Sequence, residues 1–177
     1  MRLRLSNPSL VVLVGAAGAG KSTLAARHFP ADAVLSSDAL RGVVAGDETD
    51  QRATRTAFSI LHRALARRLA TGRLTVVDAT NVTADARRSL VRRAAAAGVP
   101  AIAIVLDLDP TLVATRNALR PGRIVPSDAV QRQQRELATS LRRGLDGEGF
   151  AAVHVLRDPS DVDDLEIDWD GRATPPR

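Results

Sequence analysis

Eight consecutive residues, Gly15-Ala16-Ala17-Gly18-Ala19-Gly20-Lys21-Ser22, followed by Thr23, fit the spacing G-x-x-x-x-G-K-[ST]. The residue types explain the chemistry. Gly15, Gly18 and Gly20 let the backbone fold so that several N–H groups, from Ala19 through Thr23, converge on phosphate oxygens. A helix starting after Gly20 adds the positive end of its dipole. Lys21 offers a compact charge to the β- and γ-phosphates of a nucleoside triphosphate, and the Ser22 hydroxyl can ligate Mg²⁺. A plain glycine-rich turn matches this pattern by chance at about one position in thirty thousand. Of the 25 basic residues, 24 are arginine, and Lys21 is the sole lysine. A cation that merely solvates a surface could have been arginine here as elsewhere; a point charge suits phosphates.

Three further groups can do chemistry beside bound phosphates. Asp78 ends the run Leu74-Thr75-Val76-Val77-Asp78, where an acid either holds a metal, directly or through water, or caps the turn before Asn81. In Ser36-Ser37-Asp38-Ala39-Leu40-Arg41, Asp38 and Arg41 share one side of a helical turn. There Asp38 can accept a proton from an attacking hydroxyl while Arg41 grips an anion on the acceptor. Ser37 or Asp38 could equally cap a short helix. Arg116, Arg120 and Arg123 form a one-sided cationic ridge leading into Pro121-Gly122. Such a ridge is either a lid that brings guanidinium groups onto a transferring phosphate or a solvated arginine face. The pairs Arg87/Arg88, Arg92/Arg93 and Arg142/Arg143 read as exposed helix faces, Asp107 and Asp109 as turn and cap residues, and His62 as structural.

Those residues need a frame, and the apolar pattern supplies one. Continuous apolar runs at Ser9–Val14, Ala33–Leu35, Leu74–Val77, Ala101–Leu106 and Ala152–Leu156 read as five strands. Helical patterns alternate with them: Gly20–His28, Gln51–Ala70, Ala84–Ala97, Pro110–Leu119 and Ser127–Leu145. Gly72 and Gly98 stand where helices stop, and Pro110 at a tolerated first turn. This alternation means an α/β fold, a mostly parallel five-stranded sheet with helices on both sides, whose ligands bind at the carboxyl ends of the strands. A helical lid is expected over about residues 120–145, after the fourth strand.

Composition bounds the rest. The chain has 177 residues, 45% of them apolar, enough for one domain with a full core. It has no cysteine, and its three histidines lie far apart, so disulfide, thiolate and zinc chemistry are not expected. A net charge of +5 hints at an anionic partner; the arginine skew, with abundant alanine, resembles a whole-genome bias and weakens that hint. Only four aromatic residues, Phe29, Phe58, Phe150 and Trp169, are present, so a base-stacking surface of the single-strand-binding kind is not expected. The five apolar residues Leu10–Val14 are too few for a signal peptide core, and no run is long enough for a membrane span, so a cytoplasmic address is expected. Residues 1–157 read as the folded domain. Residues 158–177 read as an acidic docking segment and a Pro/Gly/Arg-rich tail, a candidate linker to modules absent from this chain.

The combined motifs resemble a family. The phosphate loop, Ser36-Ser37-Asp38 with Arg41, Asp47-Glu48-Thr49-Asp50-Gln51, Thr75 to Asn81, and Arg116-Asn117 with Arg120 and Arg123 are similar, in the same order, to the kinase domain of bacterial polynucleotide kinase-phosphatase. The resemblance spans about Leu10 to Arg157. It implies a P-loop kinase fold and transfer of the γ-phosphate of ATP, GTP or another nucleoside triphosphate to a 5′-OH end of RNA or DNA. It implies that Lys21 and Ser22 bind phosphates and Mg²⁺ (or Mn²⁺), with Asp38 as general base. Arg41 would meet the acceptor's 3′-phosphate, with Gln51 also on the acceptor side. Arg116, Arg120 and Arg123 would sit on the donor phosphates, and Asp78 and Asp38 would act on the metal through water. Phosphatase and ligase modules are the implied partners, in RNA end healing. Two other readings compete: a small-molecule kinase acting on a sugar or an antibiotic, and a non-catalytic nucleotide-dependent switch.

Overall fold

A computed structural model describes residues 1–44, 51–120 and 124–171, with backbone alone for 41–44, 51–55 and 171. Seven strands and seven α-helices follow one another among these residues: β1 (Arg2–Asn7), β2 (Leu10–Val14), α1 (Lys21–His28), β3 (Val34–Ser36), α2 (Ser37–Val44), α3 (Gln51–Ala70), β4 (Thr75–Asp78), α4 (Ala84–Ala96), β5 (Ala101–Leu106), α5 (Pro110–Ala118), α6 (Ser127–Arg143), β6 (Ala152–Leu156), α7 (Pro159–Asp163) and β7 (Glu166–Gly171).

Five strands form one parallel sheet in the order β3-β4-β2-β5-β6. The apolar runs explain it. All five residues of β2 and all six of β5 are buried, as strands covered on both faces must be. Alternation then sorts them. Val11, Leu13, Ile102 and Ile104 pack on one side with Leu24 and Phe29. Leu10, Val12, Ala103 and Val105 pack on the other with Leu61, Leu65, Leu69, Leu90 and Leu137. Helix α3 buries Leu61, Leu65 and Leu69 because a spacing of four keeps one face inward. Each fully buried leucine contributes about 1.5–3 kcal/mol. Helix ends follow local chemistry: Asp109 accepts from the N–H groups of Thr111 and Leu112 ahead of Pro110, and Thr83 caps α4. Gly98, at φ +66°, lets the chain leave α4.

The fold does not end at Arg157. Asp158 caps α7, whose Val162 joins the core with Leu165, and β7 pairs in parallel with β1. The acidic stretch read as a docking segment is the outer face of that pairing. Leu3 and Leu5 face inward with Ile167 and Trp169, while Arg2 meets Glu166 at 2.8 Å and Asp168 at 3.7 Å and Arg4 meets Asp170 at 3.9 Å. Both strands alternate residue by residue, which a search for continuous apolar runs passes over. The expected tail from 172 onward lies outside the described residues. Among those described, no helix is long and apolar enough to cross a membrane.

Candidate active site

The phosphate loop sits at the carboxyl end of the central strand β2. The Gly15 N–H donates to the Thr80 carbonyl at 2.9 Å, which ties this loop to the one after β4. Gly18 and Gly20 are left-handed, at φ +89° and +98°, and a Cβ at Gly18 would collide with the Val113 carbonyl oxygen and with Asn117. Glycine is required there on both counts. Helix α1 begins at Lys21 without a side-chain cap, so its first N–H groups are available to an anion.

Lys21 is buried, and its Nζ donates to the carbonyls of Gly15 and Ala16, both at 2.9 Å. Burial lowers its pKa to about 8, while Asp78 and Asp38 pull it back upward and Arg120 adds to the lowering. The Ser22 hydroxyl donates to the Asp78 carboxylate at 2.7 Å. A hydroxyl and a carboxylate this close match the oxygen ligands a hard divalent cation prefers. Asp78 is therefore turned toward the phosphate loop.

The cap question around Asp38 also resolves. Ser36 Oγ accepts from the Ala39 N–H at 3.4 Å, so the cap is Ser36, one residue before the candidates Ser37 and Asp38. Asp38 lines the cleft and accepts from Arg120 Nη2 at 3.4 Å. Arg116 and Arg120 both line the cleft as well. The backbone puts Arg41 one turn after Asp38 in α2 and Gln51 at the start of α3. Their side chains, and all of Arg123, lie outside the described residues.

One contribution, that of Gln133, had no sequence signature, and Asn117, named only beside Arg116, makes a contact no local pattern shows. Gln133 of α6 reaches across to accept from the Ala17 N–H at 2.8 Å. Asn117 clasps Val125 in both directions, at 2.8 and 3.2 Å, fixing the chain that enters α6. One expectation is corrected: Arg87 is not on an exposed face. It is fully buried, pairs with Glu148 at 2.6 Å, and donates to the carbonyls of Asn81 and Val82 at 3.0 and 2.7 Å. That clamp ties the loop after β4 to α4 and to Glu148, beyond α6. Its partner is 61 residues away, so no local pattern announces it.

Gly18, Lys21, Ser22, Asp38, Asp78, Arg116, Arg120 and Gln133 border one cleft of about 520 Å³. Strand order gives the cleft a direction. Ser37, Asp38 and Phe58 lie toward the β3 edge, the phosphate loop is central, and Pro159, Val162 and Asp163 lie toward the β6 edge.

A family model described as an AAA domain matches residues 10–143. No curated protein matches the chain. Among solved structures, a chain of the Pnkp1/Rnl/Hen1 RNA repair complex is 21% identical, with a TM-score of 0.69 over 79% of this chain and 47% of that one. This chain thus spans about half the length of that relative. A sugar kinase from Janibacter sp. HTCC2649 is 20% identical, with a TM-score of 0.59 over 88% of this chain and 90% of that one. A gluconokinase from Sinorhizobium meliloti 1021 is 19% identical, with a TM-score of 0.57 over 90% and 88%. At these identities the shared feature is the fold.

Proposed function

The chain belongs to the AAA domain family matched over residues 10–143, and from that premise we propose that it is a polynucleotide 5′-hydroxyl kinase that uses ATP or another nucleoside triphosphate. The observation that carries this reading is the placement of Asp38, paired with Arg120, in the same cleft as Lys21 and the Ser22–Asp78 pair. In this reading a proton acceptor, a phosphate cradle and arginine guanidinium groups share one cleft, as phosphoryl transfer to a hydroxyl requires.

In this proposal the donor's phosphates lie on the N–H groups of the loop, and Lys21 leaves the Gly15 and Ala16 carbonyls to meet them. Arg116 and Arg120 turn onto the donor phosphates, with Arg123 as the third arginine of that set. The donor nucleoside extends toward Pro159 and Val162, and the acceptor lies toward α2 and α3. The acceptor's 5′-oxygen forms a bond to the γ-phosphorus as the bond from that phosphorus to the β,γ-bridging oxygen breaks. The hydroxyl proton passes to the Asp38 carboxylate, and the nucleoside diphosphate leaves. An ordinary carboxylate suffices, because a loose transition state needs the proton removed only late. Arg41 holds the acceptor's 3′-phosphate and Gln51 assists. Ser22 would ligate Mg²⁺ or Mn²⁺ directly, with Asp78 and Asp38 acting through water. When bound, the cation neutralises charge on the β- and γ-phosphates. The work would be end healing of RNA or DNA in the cytoplasm, beside phosphatase and ligase modules.

The test uses Mg²⁺, γ-labelled ATP and a 5′-OH oligoribonucleotide, with its 5′-phosphorylated twin as control. Label on the 5′-OH strand alone is expected. ATP binding without label on either strand would instead favour a small-molecule acceptor, the second reading, which the fold shared with a sugar kinase and a gluconokinase supports.

A further inference from the structure

The wall of the active-site cleft carries, among the described residues, exposed apolar side chains beside its polar ones. Among the described residues, five large apolar side chains are exposed: Met1, Phe58, Ile60, Leu119 and Ile124. Two of them, Phe58 at 40% and Leu119 at 78% exposure, line the active-site cleft. Phe58 stands on α3, which packs against α2, the helix that carries Asp38, and against β3, at the far edge of the sheet from β6 and the Pro159–Asp163 end where the donor nucleoside would lie. Leu119 ends α5 next to Arg120, the residue that reaches Asp38. His62, one turn further along α3, lies against the Phe58 ring, with centroids 6.5 Å apart and planes tilted by 33°. A neighbouring ring on one side limits how Phe58 can turn.

An exposed aromatic face in an active-site cleft costs solvation unless a ligand covers it. The ligand's chemistry follows from the wall. A sugar or gluconate presents hydroxyls, which an aromatic and a leucine leave without partners. A nucleobase presents a flat face of the kind that stacks on phenylalanine. We propose that Phe58, with Leu119 in the wall of the same cleft, forms a stacking site for the 5′-terminal nucleobase of the acceptor. The proposal rests on the polynucleotide kinase reading and sharpens it: the enzyme holds the terminal base, not only the phosphates. It needs no base-stacking surface of the single-strand-binding kind. A single ring at the reacting end is enough.

The test is steady-state phosphorylation of two 5′-OH oligoribonucleotides by the full chain. One carries adenine on its 5′-terminal ribose, and the other is abasic at that residue. The wild-type enzyme should show a KM about tenfold higher for the abasic strand, the loss expected for one base–aromatic stack. Phe58→Ala should raise KM for the adenine strand by about the same factor and leave the abasic strand unchanged, with kcat kept. Phe58→Trp should restore the preference. ATP affinity of each variant reports that it folds, and the wild-type comparison needs no variant at all. Equal KM for both strands with the wild-type enzyme overturns the stacking site while leaving the kinase reading standing. So does a Phe58→Ala loss of equal size on both strands. No transfer to either strand overturns the kinase reading and the stacking site with it.

Discussion

In the proposed reaction Asp38 and Lys21 carry different parts, and their variants should separate. Asp38→Ala removes the proton acceptor and leaves the phosphate loop intact. Transfer should fall by about 10²–10⁴-fold with little change in nucleotide affinity, read by single-turnover kinetics beside equilibrium titration. A large loss of affinity would instead make Asp38 a ligand of the donor. Lys21 gives a pH prediction. Its pKa is lowered by burial to about 8, below the usual lysine value of about 10.4. Between those values the unfolded chain holds a proton that the empty folded protein lacks. Stability therefore rises with pH across that window, and the cost of the buried charge is fully present below it. Bound phosphates favour the ammonium, so nucleotide affinity should fall as pH passes upward through about 8, by at most tenfold per unit. Titrations of nucleotide affinity across that range check it, and a pH-independent affinity would remove Lys21 from the phosphates. Lys21, Ser22 and Asp78 were legible because a loop motif and a strand end are local. Gln133 was not, since its partner is Ala17, 116 residues earlier.

Elements hold those residues in place, and the tightest fastening is the Arg87–Glu148 pair. Arg87 of α4 is fully buried and binds both Glu148 and the Asn81–Val82 carbonyls. Ser140 of α6 donates to the same Val82 carbonyl at 3.0 Å. Removing one partner strands a buried charge. Arg87→Ala and Glu148→Ala should each cost about 3–5 kcal/mol by urea denaturation. The double variant should cost clearly less than the two singles together, because neither charge is left unpaired. Additive losses would mean that the pair does not act as a unit. Strand and helix periods were readable at this scale, because burial on two faces or on one stripe imposes them. Arg87 misled because an arginine on an arginine-rich helix carries no mark of being buried. The α2 cap misled by one residue, since Ser36, Ser37 and Asp38 are all good caps and only geometry chooses Ser36.

At the scale of the whole molecule, the first and last described strands lie side by side, and magnitudes decide what joins them. The joining face has two parts. Arg2 and Arg4 pair with Glu166, Asp168 and Asp170 in the open, with side chains half or more exposed. Such pairs contribute at most about 1 kcal/mol each and weaken with salt. Beneath them Leu3 and Leu5 are buried, and Trp169 packs edge-on to Phe29 with ring centroids 6.0 Å apart. Apolar burial is the larger share. Trp169→Ala should therefore cost roughly 2–3 kcal/mol, less than a fully buried tryptophan because the ring is only partly covered. Arg2→Ala and Arg4→Ala should each cost under about 1 kcal/mol, shrinking further at high salt. Thermal unfolding of the three variants at low and high salt gives the comparison. Arginine losses exceeding the tryptophan loss would make charge the joint. The consequence reaches the cleft, because α7 between β6 and β7 supplies Pro159, Val162 and Asp163 to its wall. A chain cut after Arg157, where continuous apolar runs place the domain's end, should lose nucleotide affinity along with stability. Unchanged affinity in the cut chain would show that the donor does not reach α7.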